Sequence, residues 1–576
     1  MNDGTATLKD LKEAFVTGHT GTTRPELLLV CVSAPIGIFL YLQITNFICQ
    51  RHGNPETGNT TWGLFAFIEA VSLLLPMAIC QTDLIYPWGV SILLLEIAFA
   101  FWLKILASQP YSNANDSNNR DIESIECVHR KQLHYLTSFR STVSYLTFIA
   151  ILAVDFHVFP RRFAKTETTG LGLMDLGAGS FVVSAGFVSG YARQSEKYSK
   201  ESLAKIIRHS IPLIVLGCIR WFTTKSLEYQ EHVSEYGVHW NFFFTLSMVN
   251  ILTPILRYAI LQFTKTQTKY NGAKANPTPC VPDIINSFQR FLIPFSILLC
   301  YQFCLSFFQL QEYIEYAPRR CVESHFNNLV QVAVCNIMAA NREGILGCLG
   351  YMTMFCMSEE IALYCLWTAP ITKEDSHKGE NTVSFMSSNS ELKKEYTQLR
   401  QRRAGNKENI ENTSKHLEPE NVRECYDYYS KWMQGKRLFI CLIILISLDF
   451  FFSQILRIKV SRRSTNAAFV IWTLEFNIVI LFLIWAAYFF SESSNHSPLS
   501  TLRKSTLQPS PTFTAVNRNG LIVFLIANLL TGAVNLSINT LAASNAMALS
   551  VIFGYLCTVG LIALLLDKGL DVSLKL

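Results

Sequence analysis

The stretch Tyr145-Leu-Thr-Phe-Ile-Ala-Ile-Leu-Ala-Val-Asp-Phe-His-Val-Phe-Pro-Arg-Arg-Phe-Ala-Lys165 joins a continuous apolar run to a charged end. The run is typical of the last turns of a membrane-crossing helix. Pro160 prevents the helix from continuing, because it lacks an N–H and clashes with the preceding turn. Asp155 is therefore expected near the end of a span, where ionisable groups are costly and usually face a cavity or a partner.

Three positive charges follow Asp155 in the same stretch, on Arg161, Arg162 and Lys165. A half-buried carboxylate beside cations is either part of a structural ion pair or a group tuned for catalysis. The residues alone leave both interpretations open.

The composition extends this membrane pattern to the whole chain. Its 576 residues are 50% hydrophobic and only 16% charged, and the mean hydropathy is +0.25. Apolar windows of ~20 residues recur, which is the length that a helix needs to cross a bilayer. The sequence therefore predicts an all-α polytopic membrane protein with about thirteen transmembrane helices. These cover residues 26–49, 62–80, 86–107, 136–158, 171–190, 206–224, 238–257, 286–309, 344–367, 437–456, 467–490, 520–538 and 546–566.

Basic loop residues indicate how these helices are oriented. The segment 368–436 is the most basic, and its Ser, Asn, Glu and Lys content predicts a disordered cytosolic loop. It separates two parts of the membrane bundle, 26–367 and 437–576, and the first part contains the candidate catalytic loop at 155–170. On this orientation the N-terminal segment 1–25 is luminal and the C-terminus is cytosolic. The modest net charge of +6 is explained by such loops, so no nucleic-acid partner is expected.

A polar segment precedes the seventh predicted span. It contains Glu231, His232, Glu235, His239, Trp240 and Asn241. The seven-residue gap between the histidines is not the His-Glu-x-x-His spacing of zinc enzymes, and no third spaced ligand appears, so no metal is predicted. The segment is either a hydrogen-bonded rim around a polar headgroup or a plain helix entry.

Two arginine-containing segments are candidates for binding a lipid phosphate, because Arg suits bidentate contacts with phosphate. Asn341 and Arg342 precede the ninth predicted span, and Arg462 and Arg463 lie in a short loop. In the alternative interpretation, Arg342 pairs with Glu343 at a helix start, and the other two arginines extend to the membrane interface.

Small and polar residues also mark two of the predicted helices. Asn528, Thr531 and Asn535 have the i, i+3, i+7 spacing of a single helix face. Such a stripe either bonds a neighbouring helix or lines a polar cavity, and Gly186 with Gly190 predicts close helix packing.

Several blocks of the chain resemble one family. They are Leu11-Lys-Glu-Ala-Phe-Val-Thr-Gly18, residues 151–165 with Glu167-Thr168, Leu173-Met-Asp-Leu-Gly177, residues 227–243, Ala340-Asn-Arg-Glu-Gly-Ile345, Val460-Ser-Arg-Arg463, and residues 519–521 with 527–535. In this order they are similar to the glucosaminyl-phosphatidylinositol acyltransferase family, called PIG-W in animals and GPI-anchored wall transfer protein in fungi. The fungal form is the more similar. The segments 368–436 and 108–134 carry no family pattern.

The resemblance implies a multi-pass enzyme of the endoplasmic reticulum membrane that acts in GPI-anchor synthesis. A long acyl group, usually palmitoyl, would move from coenzyme A to the inositol 2-hydroxyl of glucosaminyl-phosphatidylinositol. Acyl-CoA is then a co-substrate, membrane lipids surround the protein, and no permanently bound cofactor is expected. The family's catalytic Asp and Lys, ten residues apart, match Asp155 and Lys165.

This chemistry requires a base for the hydroxyl proton and a positive group for the oxyanion. Asp155 fits the first role and Lys165 the second, with the roles reversed if Lys165 is desolvated and neutral. A multi-pass lipid transporter and a non-catalytic scaffold for GPI enzymes remain as alternatives. The sequence shows no internal repeat that would favour a transporter.

Arg140 adds a prediction about the acyl donor. It precedes Asp155 by fifteen residues, which is roughly 22 Å along a helix. The orientation above places Arg140 near the cytosol, where acyl-CoA is made, so the coenzyme A phosphates are expected to meet Arg140 while the thioester reaches Asp155. Alternatively, Arg140 extends to the interface or pairs with a neighbouring helix.

Overall fold

The computed structural model describes residues 15, 18–52, 59–108, 133–193, 203–226, 233–270, 284–320, 329–367, 420–492 and 507–569. Their helices are α1 (Arg24–His52), α2 (Asn59–Glu69, a π-helical turn Ala70–Leu74, and Leu75–Cys80), α3 (π-helical Ile85–Gly89, then Val90–Ser108), α4 (His134–Ala153), α5 (Leu173–Phe187), α6 (Leu203–Ser226), α7 (Val233–Tyr236), α8 (Phe242–Tyr270), α9 (Ile284–Phe307), α10 (Leu310–Tyr316), α11 (Leu329–Ala340), α12 (Arg342–Cys365), α13 (Glu420–Phe450), α14 (Ala467–Glu492), α15 (Pro511–Arg518), α16 (Gly520–Ser537) and α17 (Asn545–Leu564). Within these ranges, extended pairing is limited to one bridge between Gly21 and Leu171, so the predicted all-α class is confirmed.

Nine of the described helices are long and apolar enough to cross a bilayer, which makes this a multi-pass membrane protein. The predicted count of about thirteen spans is higher because it includes α5, α6, α8 and α12. Three of these have apolar portions of only 10–17 residues. The fourth, α12, carries Arg342, Glu343, Glu359 and Glu360.

Two predicted boundaries differ from the structure. Helix α4 ends at Ala153, so Asp155 lies beyond its last turn and not inside a helix extending to residue 158. Helix α13 begins at Glu420, so the prediction of disorder for 368–436 is wrong over 420–436, while 368–419 lie outside the described residues. The polar residues at the start of α13 lie directly before an apolar span that is helical. They form a helix because extending an existing helix requires no new nucleation.

Helix α4 lies at the centre of the bundle, in contact with α1, α5, α14, α15, α16 and α17. Its Tyr145, Phe148 and Ile149 are fully buried. Small hydroxyl residues let neighbouring helices approach closely, and the hydroxyls of Ser138 and Tyr488 hydrogen-bond at 2.8 Å. A residue that follows α4 is therefore placed at one end of the bundle, among several helices.

Candidate active site

The segment between α4 and α5, residues 154–172, is held at one end of the bundle by two distant parts of the chain. Thr22 donates its N–H to the carbonyl of Leu171 at 2.8 Å, and Gly170 donates to the carbonyl of Val460 at 2.9 Å. Gly170 has a φ of 147°, which residues with a side chain rarely adopt, and a Cβ there would overlap the neighbouring backbone. The loop is thus fixed by long-range contacts.

Arg161 organises the turn that follows α4. Its Nε and Nη2 donate to the carbonyl of Phe159, Nη2 also donates to Phe156, and Nη1 donates to Val154 and to Phe15. A guanidinium has five N–H donors, and these contacts engage all of them with carbonyl oxygens. Arg161 therefore satisfies the carbonyls left unpaired where the helix stops, a different task from the substrate contact that the sequence predicted.

Arg162 connects the same loop to the start of α1. Its Nε lies 2.9 Å from Oε1 of Glu26, and its Nη1 lies 3.9 Å from Oδ1 of Asp83. Tyr86 also donates its hydroxyl to Glu26, at 2.9 Å. The predicted binding residue Arg162 thus takes part in an ion-pair network of the protein itself.

Asp155 meets the asparagine stripe of α16. Nδ2 of Asn535 donates to Oδ2 of Asp155 at 2.7 Å, while Oδ1 of Asn535 is buried and makes no hydrogen bond within the described part of the chain. The charge of Arg161 also acts on this carboxylate: burial lowers the pKa of Arg161 to about 10, and Asp155 and Asp83 oppose that shift. The structure therefore brings two predicted site residues together and places a cation beside them.

Lys165 lies at the start of a chain of alternating charges. Its Nζ forms an ion pair with Oε1 of Glu235, and Oε2 of Glu235 lies 3.8 Å from Nη2 of Arg462. Nε of Arg462 lies 2.6 Å from Oδ1 of Asp175, whose Oδ2 accepts hydrogen bonds from the N–H and hydroxyl of Thr166, at 3.0 and 2.8 Å. The exposed fraction falls from 37% for the Lys165 side chain to 6% for that of Arg462, so the chain leads inward.

A second charge cluster surrounds Glu343 at the start of α12. Its Oε1 lies 2.7 Å from Nη2 of Arg319, 3.0 Å from Nη2 of Arg463 and 4.0 Å from Nε of Arg342. The alternative interpretation of Arg342, a pair with Glu343, is thus present in part. Three guanidinium groups facing one buried carboxylate leave an excess of positive charge.

Several predicted binding residues form bonds within the protein. The N–H of His239 donates to Oδ1 of Asn341 at 2.8 Å, and Nε1 of Trp240 donates to the hydroxyl of Thr245 at 3.0 Å. The bond between His239 and Asn341 positions the entry to α8 against the start of α12.

Two predicted asparagines also bond backbone carbonyls of the protein. Nδ2 of Asn241 donates to the carbonyl of Gly217 at 2.8 Å, and Nδ2 of Asn528 donates to the carbonyl of Phe524 in its own helix at 2.7 Å. Two further predicted residues lie outside the described ranges: Glu231 and His232. Among the described residues, no group of three or more side chains is arranged to hold a metal ion.

Arg140 lies fifteen residues before Asp155, toward the other end of α4. Its Nε is buried and has no hydrogen-bond partner among the described residues, and the like charge of Arg193 acts on its guanidinium. The guanidinium of Arg193 lies 5.2 Å from the ring of Trp367. This end of α4 therefore has two cations close together.

Sequence reasoning missed two groups of charges. The first is the pair of Asp175 with Arg462, in which Asp175 was not predicted as a site residue. A second group joins Arg257 to Glu359 and to Glu360, the latter at 3.3 Å, and Tyr191 donates its hydroxyl to Glu360 at 2.8 Å. Acids inside a predicted span are themselves a signal of a functional or paired group, and that signal could have identified both.

The sequence model of the GWT1 family matches residues 8–566. The chain belongs to the GWT1 family. It is 28% identical to a Candida albicans protein named GPI-anchored wall transfer protein 1, with 98% of each chain covered. Proteins of the same name from Yarrowia lipolytica and Gibberella zeae are each 30% identical, with 99% of each chain covered. The GWT1 match confirms the resemblance read from the sequence blocks, and it includes the whole of the loop that carries Asp155 and Lys165.

Proposed function

We propose that this GWT1-family protein transfers a long acyl group, such as palmitoyl, from acyl-CoA to the inositol 2-hydroxyl of glucosaminyl-phosphatidylinositol. Family membership supports a role in GPI-anchor biosynthesis. The observation that carries the finer proposal is the placement of Asp155 and Lys165 on one fixed loop at the end of the bundle, each with a charged or polar partner.

The reaction follows from these two side chains. The carboxylate of Asp155 accepts the proton of the inositol hydroxyl, whose oxygen attacks the thioester carbonyl. The ammonium of Lys165 stabilises the negative oxygen of the tetrahedral intermediate. The C–S bond then breaks, the new ester remains on the lipid, and the coenzyme A thiolate takes up a proton. Asn535 holds one oxygen of Asp155, which limits the rotation of the carboxylate.

The two substrates reach this loop from different directions in our proposal. The lipid acceptor enters from the membrane at the end of the bundle near Asp155, which we place toward the lumen of the endoplasmic reticulum. Acyl-CoA approaches from the cytosolic end. There the two neighbouring cations Arg140 and Arg193 attract the anionic headgroup of coenzyme A. The acyl thioester then extends between the helices toward the loop.

The test is an acyl transfer assay on the purified full-length protein, with labelled palmitoyl-CoA and glucosaminyl-phosphatidylinositol. We expect inositol-acylated product from the wild type and little from Lys165→Ala at equal protein and equal thermal stability. Folded wild-type protein that yields no such product would contradict the proposal.

A further inference from the structure

We infer that Glu235 is a positioning residue, which holds the side chain of Lys165 at the reacting carbonyl in its ammonium form and so leaves Asp155 as the base. This inference rests on the proposed function and resolves which of the two groups accepts the proton.

Glu235 is placed between two cations. One carboxylate oxygen contacts the ammonium of Lys165, and the other lies 3.8 Å from the guanidinium of Arg462. The side chain of Glu235 is only 14% exposed, so solvent screens its charge weakly. A carboxylate in this position limits where the ammonium of Lys165 can point.

The contacts continue into a closed ring. Arg462 bonds Asp175 at 2.6 Å, and Asp175 accepts two hydrogen bonds from Thr166. Thr166 is the residue that follows Lys165 in the chain. The ring therefore runs from the Lys165 ammonium through Glu235, Arg462 and Asp175 to the backbone of residue 166, and it holds Lys165 at both its side chain and its main chain.

Arg462 remains a cation inside the ring. Although burial lowers the pKa of Arg462, the carboxylates of Glu235 and Asp175 raise it well above its usual range. Two cations then face two carboxylates. An ammonium group has three N–H donors, so the pair with Glu235 leaves donors for a developing oxyanion. A lysine held in this form cannot accept the hydroxyl proton.

The titratable and charged groups that surround the ring come from several elements. Besides the ring members Asp175, Glu235 and Arg462, they are Arg220 on α6, Tyr236 on α7 and Tyr351 on α12. A pH profile therefore has to be compared between matched variants, since only a difference between two profiles can be assigned to Glu235.

The experiment measures kcat and both KM values against pH for wild type, Glu235→Gln and Glu235→Asp. We expect Glu235→Gln to lower kcat by about 10²-fold, as expected for a displaced catalytic group, with smaller changes in KM. The alkaline limb of its kcat profile should move to lower pH, because the ammonium loses its carboxylate. Glu235→Asp should recover part of kcat and restore the alkaline limb.

A matched control is the ion pair between Lys431 and Glu492, at 2.5 Å. Glu492→Gln removes the same kind of carboxylate from a lysine and should leave the pH profile unchanged. An active wild type with the same profile in Glu235→Gln would overturn the positioning role. A Glu235→Gln enzyme with kcat maintained and its acidic limb moved to lower pH would instead assign Lys165 as the base. An inactive but folded wild type would contradict the proposed function itself.

Discussion

At the end of α4, the carboxylate of Asp155 accepts a hydrogen bond from Asn535 and interacts with the charge of Arg161. The ionised carboxylate is the form that can accept a proton in the proposed reaction. Asp155→Asn keeps the shape of the side chain and an oxygen for the bond from Asn535, but it removes the base. We expect kcat to fall by about 10²–10⁴-fold at an unchanged melting temperature, measured in the acyl transfer assay. Near-wild-type turnover would give Asp155 a structural role.

Asn535 provides a second prediction at this scale. A hydrogen bond to a charged group contributes about 1.5–3 kcal/mol, so Asn535→Ala should lower kcat by at least about 10-fold through a loosened Asp155. Ser537→Ala is the control, because Ser537 is exposed on the same helix and donates its hydroxyl only to the carbonyl of Ala533. Equal kcat values for the two variants would show that the bond to Asp155 has no catalytic consequence.

At the scale of helices, α5 and α12 pack so closely that one position requires glycine. A Cβ on Gly186 would overlap the hydroxyl of Ser358 and come within 3.0 Å of the carbonyl of Phe355. This confirms the close packing predicted for Gly186, whereas Gly190 lies beyond the end of α5. The contact matters for the site because α5 carries Asp175 and α12 carries Glu343.

Gly186→Val should therefore destabilise the protein by about 1–3 kcal/mol, the usual cost of overpacking a filled interior. Gly532→Ala is the matched change, since no atom lies within 4 Å of a Cβ built at Gly532 in α16. It should be neutral or stabilise by up to about 1 kcal/mol. Melting temperatures in one detergent compare the two, and a Gly186→Val protein as stable as Gly532→Ala would show that α5 and α12 can separate without cost.

At the scale of the whole molecule, Arg140 and Asp155 lie toward opposite ends of the central helix. If the coenzyme A phosphates bind at Arg140, then Arg140→Ala should raise the KM for acyl-CoA several-fold while kcat changes little, because uniform binding is lost. Asp155→Asn should instead lower kcat while the KM for acyl-CoA changes little. Initial rates at varied acyl-CoA distinguish them, and an unchanged acyl-CoA KM in a folded Arg140→Ala protein would exclude Arg140 as a contact.

The orientation in the membrane is tested by glycosylation. The sequon Asn412-Thr-Ser lies in the basic segment predicted to be cytosolic, so Asn412 should remain unmodified, whereas an acceptor inserted between α4 and α5 should be modified. Mass shifts on glycosidase treatment report both sites. Sugar on Asn412 would invert the orientation and place Asp155 on the cytosolic side.

The sequence by itself determined the membrane class and most helix positions, and it identified Asp155 and Lys165 as candidates. Apolar windows of sufficient length identify spans because the free energy of inserting a segment into a bilayer depends mainly on that segment's own residues. Asp155 stands out because a charge at the end of a span is costly and therefore rare, whereas the role of Lys165 is implied by the resemblance to the family. The same reasoning located Asn535 on a polar helix face, although it could not say which residue that face meets.

Only the tertiary structure decided the partners. Asn535 and Asp155 are 380 residues apart in the chain, and Arg462 and Asp175 are 287 apart. Local patterns carry no information on such pairings, which depend on how the helices pack. The packing assigned the donors of Arg161 to backbone carbonyls, and it gave Lys165 the carboxylate of Glu235. Where solvent screens charges weakly, the orientation of a charged side chain depends on the opposite charge that lies within a few ångströms. Which residue supplies that charge depends on how the chain folds.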